Sequence, residues 1–589
     1  MNNRNCSLVA ATTLLMTCSA GAFAQQISGT VVDKKSNETL IGAVVAVEGS
    51  NAKAVTDADG NFELSGLKNG KYTLNINYVG YKPQRIEGVR INGGKAEERI
   101  SVALQPDEQQ LGEVVVTAVE RRNTEAAMVQ MAKNSAVIVS NVSAQEISRT
   151  QDTNAGEVVR RVPGVSLIDD KFVMVRGLSQ RYNNVWVNGG AVSSSEADSR
   201  AFSFDIIPSQ QIDNLTIVKS PSAEYPADYS GGLIIVNTKE IPDANSLTFS
   251  VGGNWNTATA FKDFSYSKGS ATDFLGFDNG KRSLQGGINA RLNPLQGADG
   301  KPVGDNLYSL TGNKLNNDWL VKQRKPVGDL KLAASMSRRW NLNGNKLGML
   351  AAINYTNEQR SYTDMQNNLF GIYDATNDHS NYLRHSTDDQ YNTNVRLGAM
   401  LNLTFLSRNG NHKYQLKNIF NQLATSRYTW REGVDAQSND EHSAEYFYRS
   451  RTTYNGQLTG KHTFTSDALD WSIGYAYANR HLPDRRRYLL NDIQNPGEIA
   501  LHTGNDISRE WTQLDEHIVS LGVNDKHSFS FGSWQPSLQV GCYGEYRTRT
   551  YNTRAFYYQW NPSICTLPSD FQQGDVTRLL SDEANMGYD

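Results

Sequence analysis

Alternation between apolar and polar residues is the strongest pattern in this chain, and it recurs through most of the sequence after Ser246. From Val395 to Phe405 every odd-numbered position is apolar, whereas the positions between them are largely polar. Because successive side chains of a strand point to opposite faces, a period of two predicts β-strands. Similar alternation marks residues 330–336, 347–355, 471–478, 517–523 and 538–546.

These runs predict strands of about ten residues with one apolar and one polar face, separated by turns and long polar segments. That combination is typical of a transmembrane β-barrel, although a soluble β-sandwich shows the same alternation. The hydrophilic stretches Ser361–Asp388 and Glu432–Glu441 favour the barrel, in which they are expected to be outer loops. The 27 tyrosines against 19 phenylalanines also favour it, because barrels carry aromatic girdles at the membrane interface.

A region of short strands and helices precedes the alternating region. Asn154 and Glu157 have the spacing of a reciprocal helix cap, and Pro163-Gly164 ends the helix predicted over residues 154–162. The region 156–239 is therefore expected to be a compact α+β domain. Its predicted strands, rich in β-branched and aromatic residues, are 173–177, 184–190, 214–219 and 232–237.

The first part of the chain, Ile27 to Asp107, is also rich in predicted strands. Asp57 to Asn61 predicts a turn in which Gly60 adopts a left-handed backbone, since a calcium loop needs more carboxylates and a longer span. This part resembles the carboxypeptidase-regulatory-like β-sandwich, and the resemblance implies no peptidase. The motifs that carry it are Gly29–Asp33, Leu40–Ala43, Thr56–Phe62 and Gly80-Tyr81.

The first 24 residues predict an export signal. Arg4, the apolar run Leu8–Met16 and the cleavage motif Ala22-Phe23-Ala24 have the expected order. A buried core helix is the alternative, but the sequence changes abruptly to a β pattern after residue 24. Cys18 raises the alternative of a lipoprotein, for which Met16-Thr17 are poor neighbours.

Composition and charge narrow the function classes further. The 589 residues carry a net charge of −3, which gives neither a basic signature for nucleic acid nor an acidic tail. Mean hydropathy is −0.53 and no run approaches the roughly 18 apolar residues that a spanning helix needs, so a helical membrane protein is excluded. After signal removal only Cys542 and Cys565 remain, too few for a disulfide framework, and spacing does not decide whether they pair.

The short run Glu113–Thr117 follows a polar joint and is prone to form a strand. In isolation it is either the last strand of the preceding sandwich or a loose strand that adds itself to the sheet of another protein. Several motifs follow it in one order: Arg160–Val165, Val175–Gly177, Val187–Gly189, Val218–Pro221, Ala223–Tyr225 and Ser230–Lys239. This ordered set resembles the plug domain of TonB-dependent outer-membrane receptors. The residues that then resemble the family's TonB box are Glu113, Val114, Val115, Val116 and Thr117.

The resemblance implies a mainly β architecture in which a β-sandwich, an α+β plug domain and the N-terminal part of a transmembrane β-barrel follow one another. The expected boundaries are 1–24 for the signal peptide, 25–107 for the sandwich, 108–120 for the linker with the TonB box, 121–241 for the plug and 242–589 for the barrel. Plugged transporters have 22 strands, whereas about a dozen are marked in this chain. The last residues, Ser581–Asp589, also lack a strand pattern, so the barrel is expected to be truncated.

By the same resemblance, the protein is expected in the cell outer membrane, with its N-terminal domain in the periplasm. The expected partners are a TonB-type energy-coupling protein, outer-membrane lipid and a nutrient ligand, which is a siderophore, cobalamin, a glycan or a peptide. No nucleic acid, cofactor or metal is expected. The run Val185–Gly190 departs from the wording of the glycan-importing branch, so a glycan is not favoured over the other ligands.

The family layout also suggests which plug residues contact ligand and which hold the plug in place. Arg160, Arg161 and Arg176 are expected to face the inside of the barrel and to latch the plug to its wall, because a buried arginine needs a carboxylate partner. For each ligand-contact residue the alternative is a solvated loop. The candidate ligand contacts are Asp169, Asp170, Ser193, Ser194, Ser195, Glu196, Asp198 and Arg200.

Other function classes make different demands on the sequence. A secreted β-rich enzyme needs a convergent nucleophile, base or metal cluster, whereas the nine histidines are dispersed and no Gly-x-Ser-x-Gly motif of the hydrolase kind occurs. An outer-membrane adhesin or passive channel would keep the barrel but needs no TonB box. The family resemblance implies energy-dependent import of a nutrient, and the adhesin or channel and the enzyme remain the alternatives.

Overall fold

The computed structural model describes residues 26–558 and residue 576, with internal gaps. Two compact units are present, Met1–Met131 and Ala132–Asp589. No helix within the described residues is long and apolar enough to span a membrane. The gaps are 35–36, 51, 58, 66, 68, 79–80, 93–94, 97–99, 106–123, 151, 153, 169–170, 197–200, 241–243, 285–294, 297–301, 304–314, 317, 437, 439, 493–498, 501–506 and 533.

The first unit is a sandwich-like arrangement of eight strands. Leu74 and Ile76 are fully buried on one face of their strand, as the alternation predicts. The predicted turn is confirmed, because the Asp57 carboxylate accepts from the backbone N of Asn61 at 2.8 Å and Gly60 has a φ of 71°. The strands are β1 Gln26–Asp33, β2 Val44–Val47, β3 Lys53–Val55, β4 Asn61–Ser65, β5 Gly70–Asn77, β6 Gln84–Asn92, β7 Lys95–Ala96 and β8 Ile100–Leu104.

The second unit begins with a small α+β domain, called the plug below. Its central sheet has the order β13-β12-β15-β14-β9, in which β12 and β15 are parallel. The predicted helix cap is confirmed, since the Asn154 side chain accepts from the backbone N of Glu157 at 3.1 Å. The helices are α1 Glu125–Asn134, α2 Ala144–Arg149 and α3 Ala155–Arg160. The strands are β9 Val139–Ser143, β10 Val165–Ile168, β11 Phe172–Val175, β12 Asn183–Val187, β13 Gly190–Ala191, β14 Ile212–Val218 and β15 Gly232–Thr238.

A sheet of ten strands, called the wall below, forms the barrel part of the unit. Its strands pair in the order β16-β21-β22-β23-β24-β25-β26-β28-β29, with β27 beside β26. Short turns join the strands at one end, at residues 343–344, 407–411, 464–466 and 529–536. The wall strands are β16 Ser246–Gly252, β21 Leu330–Leu342, β22 Asn345–Asp374, β23 His379–Leu406, β24 His412–Asp435, β25 Asp440–Thr463, β26 Asp467–Asp492, β27 Ile499–Ala500, β28 Ile507–Ser528 and β29 Ser537–Tyr558.

Apolar side chains form rows on the face of the wall that points away from the plug. One row crosses five strands through the paired residues Leu403, Leu416, Leu458, Ile473 and Leu521. The next row towards the short turns is aromatic and includes Trp340, Phe405, Tyr414 and Trp471. The predicted apolar face and aromatic girdle are therefore both present, as a lipid-facing wall requires.

The predicted strand lengths and outer loops are wrong. Most wall strands have 22 to 30 residues, and both polar stretches predicted as loops are largely β-sheet. Ser361–Asp388 forms the end of β22, a turn at 375–378 and the start of β23, while only 436–439 separates β24 from β25. The physical reason is that apolar and polar residues do not alternate regularly in these strand ends, which pair through their backbones.

The one long connection between described wall strands, residues 253–329, is called the insert. It contains β17 Phe264–Ser267, β18 Leu295–Gln296, β19 Pro302–Val303 and β20 Val321–Arg324. The insert covers the outward face of the wall beyond the apolar rows. Gln422 donates to the carbonyl of Gly276 at 2.5 Å, and Trp319 is 1% exposed against the rings of Tyr446 and Tyr488. Wall residues near Gln422 are therefore buried on both faces.

Candidate functional site

The contact between the plug and the wall is the candidate functional site.

A tight turn brings the plug close to the wall after β12. Asn188 and Gly189 have φ values of 56° and 87°, and the Asn188 carboxamide accepts from the backbone N and the hydroxyl of Thr238, each at 2.9 Å. A Cβ atom added at Gly190 would lie 1.9 Å from the amide nitrogen of Gln457 in β25, so a larger residue here would have to displace the end of that buried side chain.

Arg451 of β25 is the centre of the first polar cluster between plug and wall. Its guanidinium pairs with Asp205 and with Glu196 at 3.2 Å, and it donates to the Ser203 hydroxyl at 3.0 Å. Burial alone would raise the pKa of Asp205, but the charge of Arg451 outweighs burial and lowers it. Asp205 therefore holds the plug to the wall as an anion, and Glu196 adds a second contact to the same guanidinium.

Glu516 of β28 is the centre of a second cluster. Its fully buried carboxylate accepts from the backbone N of Ser194 at 2.5 Å and lies 3.5 Å from Arg547 and 3.6 Å from Arg549. Arg549 also donates to the carbonyl of Glu196. The same plug loop is thus held by two wall clusters.

A third cluster lies nearer the short turns, where the plug leads into the wall. Glu240 accepts from Lys413 at 2.6 Å and from Lys417 at 2.9 Å. Burial alone would raise the pKa of Glu240, but the two lysine charges hold it far below its usual range. Asn402 adds hydrogen bonds to the Thr238 hydroxyl at 3.1 Å and to the carbonyl of Lys239 at 2.6 Å.

Apolar contact between the plug and the wall is confined to small patches. Ile419 and Leu423 of β24 join the core of the plug. Ala191 packs with Ala476 and Ile518 in a separate cluster. Charged and hydrogen-bonded groups therefore supply much of the described attachment.

The predicted ligand contacts fall into two groups. Ser194, at 1% exposure, and Glu196, at 8%, are buried against the wall and are not solvated loop residues. Ser193 and Ser195 are buried beside them. The remaining predicted contacts lie outside the described residues, as do the TonB box, Glu113–Thr117, and Cys565. Those remaining contacts are Asp169, Asp170, Asp198 and Arg200.

The predicted latch arginines lie elsewhere on the plug. Arg161 is exposed at the end of α3 and pairs with Asp152 of the plug at 2.6 Å, so its expected pairing with the wall is wrong. A side chain at the end of a surface helix stays in solvent, and its nearest carboxylate is local. Arg160 and Arg176 are also exposed, and a latch role for them stays a prediction. Arg451, which the sequence reasoning missed, forms the latch from the wall side.

Comparison with known proteins matches the two domains that the motifs predicted. Residues 27–116 match the CarboxypepD_reg-like domain family, and residues 132–233 match the TonB-dependent Receptor Plug Domain family. The TonB-dependent receptor SusC of Bacteroides thetaiotaomicron is 28% identical over 252 residues, which are 40% of this chain and 23% of SusC. The vitamin B12 transporter BtuB of Photobacterium profundum is 28% identical over 201 residues, 32% of either protein.

These matched segments span less than a third of either relative's own length. Among solved structures, the ferric-catecholate import receptor Fiu from K12 E. coli is 12% identical, covering 72% of this chain and 63% of its own, with a TM-score of 0.32. That score is too low to carry an argument. The two matched relatives are a receptor and a transporter, which does not favour the adhesin, channel or enzyme alternatives. The chain therefore carries a CarboxypepD_reg-like domain at residues 27–116, followed by a TonB-dependent receptor plug domain at residues 132–233.

Proposed function

We propose that this protein is an outer-membrane receptor that imports a scarce or bulky nutrient with energy from the inner-membrane proton gradient. The observation that supports this most is the polar attachment of the plug. Clusters around Arg451, Glu516 and Glu240 fix it at two levels of the wall, with little apolar contact between them. Polar groups can exchange partners with water or ligand, so the plug can be rearranged without exposing a large apolar surface.

The orientation follows from the ends of the strands. Barrels of the outer membrane have short turns on the periplasmic side and long connections on the outer side. The Glu240 cluster lies near the short turn at 407–411, while the insert connects strands at the opposite end. This geometry supports a periplasmic position for the start of the wall. By the family resemblance, we propose that the N-terminal domain is also periplasmic and that the segment Glu113–Thr117 meets a TonB-type protein there as an added strand.

The loop that contains Ser194 and Glu196 faces the opposite side in this proposal. Ligand bound there would contact groups that also hold the plug, so binding and plug release are linked through shared partners. Asp169, Asp170, Asp198 and Arg200 remain proposed ligand contacts. The protein acts as a carrier with no catalytic step.

The decisive experiment separates surface binding from uptake. Cells with Glu113–Thr117 deleted should bind nutrient normally but lose uptake to the level of cells without the gene. Val115→Pro removes a main-chain donor and should reproduce the loss, whereas Val115→Ile keeps the donor and should retain uptake. Dissipating the proton gradient should stop uptake in the unmodified strain.

Nutrients for this test come from growth limited in turn by iron, cobalamin, a glycan or a peptide, with and without the gene. A passive channel would show uptake that continues after deletion of the segment or loss of the gradient. An adhesin would show surface binding with no gene-dependent uptake of any nutrient. Either result would contradict the proposed import.

A further inference from the structure

A row of arginines crosses the wall on the face that meets the plug. Strand register pairs Arg396 with Leu423, Leu423 with Arg451, and Arg451 with Arg480. Leu423 packs into the plug core and Arg451 binds plug carboxylates, so the whole row is on the plug side. Arg449, two residues before Arg451 in the same strand, faces the same way.

The charges in this row do not balance among the described residues. Five cations lie in or beside it, whereas the carboxylates near them are Glu196, Asp205 and Glu358, the last of which lines the same cavity as Arg396. Glu196 and Asp205 are engaged by Arg451, and Glu196 also pairs with Lys171 at 3.4 Å. The three cations for which the described residues provide no ion pair are Arg396, Arg449 and Arg480.

A second observation indicates that Arg480 has an unused hydrogen-bond donor that a ligand could bind. Its Nε atom is buried and has no hydrogen-bond partner in the described part of the chain. Arg449 lies over the ring of Phe447, with its guanidinium carbon 5.6 Å from the ring centre, and Arg427 lies over the same ring at 4.5 Å. Such stacking holds guanidinium groups in place, while a half-buried positive charge is costly without an anion.

We propose that the row binds an anionic ligand with at least two carboxylate, phosphate or sulfate groups. This inference rests on the proposed import function and names its substrate class. Guanidinium groups bind such anions through two parallel hydrogen bonds. Arg451 and Arg480 are on adjacent strands, whereas Arg396 and Arg480 are three strands apart, about 14 Å. A small dianion can bridge guanidinium groups on adjacent strands, and a ligand with more widely separated anionic groups can bind along the whole row.

The position of Arg451 links this site to the plug. It lies between Arg396 and Arg480 in the row and also holds Asp205 and Glu196. An anion bound to the row competes with these carboxylates for the same guanidinium. Ligand binding therefore weakens the attachment of the plug at this point. A neutral ligand would leave the three unpaired charges without partners and would not compete.

Binding to the purified full chain in detergent tests the proposal. The probes are pyrophosphate and the dicarboxylate succinate, with trehalose as the neutral control, measured by titration calorimetry at low ionic strength. At least one anion should bind with one-to-one stoichiometry, and trehalose should not bind. The tighter probe identifies the anionic group that the site prefers.

Variants locate the binding to the row. Arg480→Gln and Arg449→Gln should each weaken binding at least tenfold, whereas Arg480→Lys keeps the charge and should weaken it less. Arg408→Gln, which removes an exposed arginine of a short turn, should leave binding unchanged. Heat-dependent gel mobility should show that every variant is folded.

The proposal is overturned if neither anion saturates a site, or if Arg408→Gln weakens binding as much as the row variants. This test needs no TonB protein, so its failure is distinct from failure of the import proposal. If an anion binds but uptake does not depend on Glu113–Thr117, the import proposal is contradicted and the anion-site proposal stands.

Discussion

Asp205 of the plug and Arg451 of the wall form a largely buried ion pair across the boundary between the two structures. The pair is part of a network, because Arg451 also holds Glu196 at 3.2 Å and the Ser203 hydroxyl at 3.0 Å. Removing the arginine would leave two carboxylates in a buried place without their main cation. The network therefore makes the seating of the plug sensitive to one wall residue.

Arg451→Met tests this dependence. Loss of one partner of a buried ion pair costs about 3–5 kcal/mol because the other charge stays buried and uncompensated. We expect the plug of this variant to become protease-sensitive at a lower urea concentration, while the wall keeps its heat-dependent gel mobility. Arg408→Met is the matched control. Equal protease sensitivity in the two variants would show that Arg451 does not hold the plug.

The contact between Gly190 and Gln457 gives a second test, which depends on steric fit and not on charge. The Gln457 amide is buried between Gly190 of the plug and Gly474 of the wall. Gly190→Ala should destabilise plug seating by about 1–3 kcal/mol, as overpacking does in tight cores. In a Gln457→Ala background most of this loss should disappear, because the obstructing amide is gone. A double-mutant cycle measures the difference, and additive losses would contradict the predicted contact.

The Glu240 cluster predicts a pH dependence. Folding lowers the pKa of Glu240, so its stabilisation is fully present above the unfolded value of about 4.3 and is lost as the pH falls through the lower folded value. Since the carboxyl side chain is 35% exposed, Glu240→Gln should cost only about 1 kcal/mol at pH 7.

The difference between Glu240→Gln and the unmodified protein should persist at pH 5 and shrink only below about pH 4. Urea midpoints of plug release measure it at each pH. Glu224→Gln removes an exposed plug carboxylate and should change stability little at any pH. A difference that vanished already at pH 6 would show that Lys413 and Lys417 do not hold Glu240 as described.

Two tryptophans in the insert make a matched pair. Trp319 is 1% exposed between wall tyrosines, whereas Trp255 is 70% exposed. Trp319→Ala should cost about 3–5 kcal/mol of insert docking, and limited proteolysis should then cut within residues 253–329 while the strands stay intact. Trp255→Ala should leave the cleavage pattern unchanged. Equal cleavage in both variants would mean that the insert is not anchored by Trp319.

Local signals made the order of domains and many elements predictable from the sequence. The cap formed by Asn154 and Glu157, the turn at Gly60 and the alternation from Val395 to Phe405 depend on neighbours close in the chain. Alternation also requires that one face of a strand meets lipid or a core. The polar stretch Ser361–Asp388 has no such face, so its extended hairpin was not recognised.

The plug–wall contacts were less predictable because they join residues far apart in sequence. Arg451 is 246 positions from Asp205, and no local pattern pairs them. One signal was available, since Arg449 and Arg451 alternate within a strand and must therefore share a face. The register that sets Arg480 opposite Arg451 depends on the lengths of turns and strands, which the sequence patterns did not resolve.

The strands of 22 to 30 residues have one more consequence, for where motion can occur. About ten residues suffice to cross the membrane, so much of β22 to β28 stands beyond it as hydrogen-bonded sheet. Such a collar is stiff, because bending one strand would break its ladder with both neighbours. Among the described residues, changes of state are therefore expected in the plug and not in these long strands.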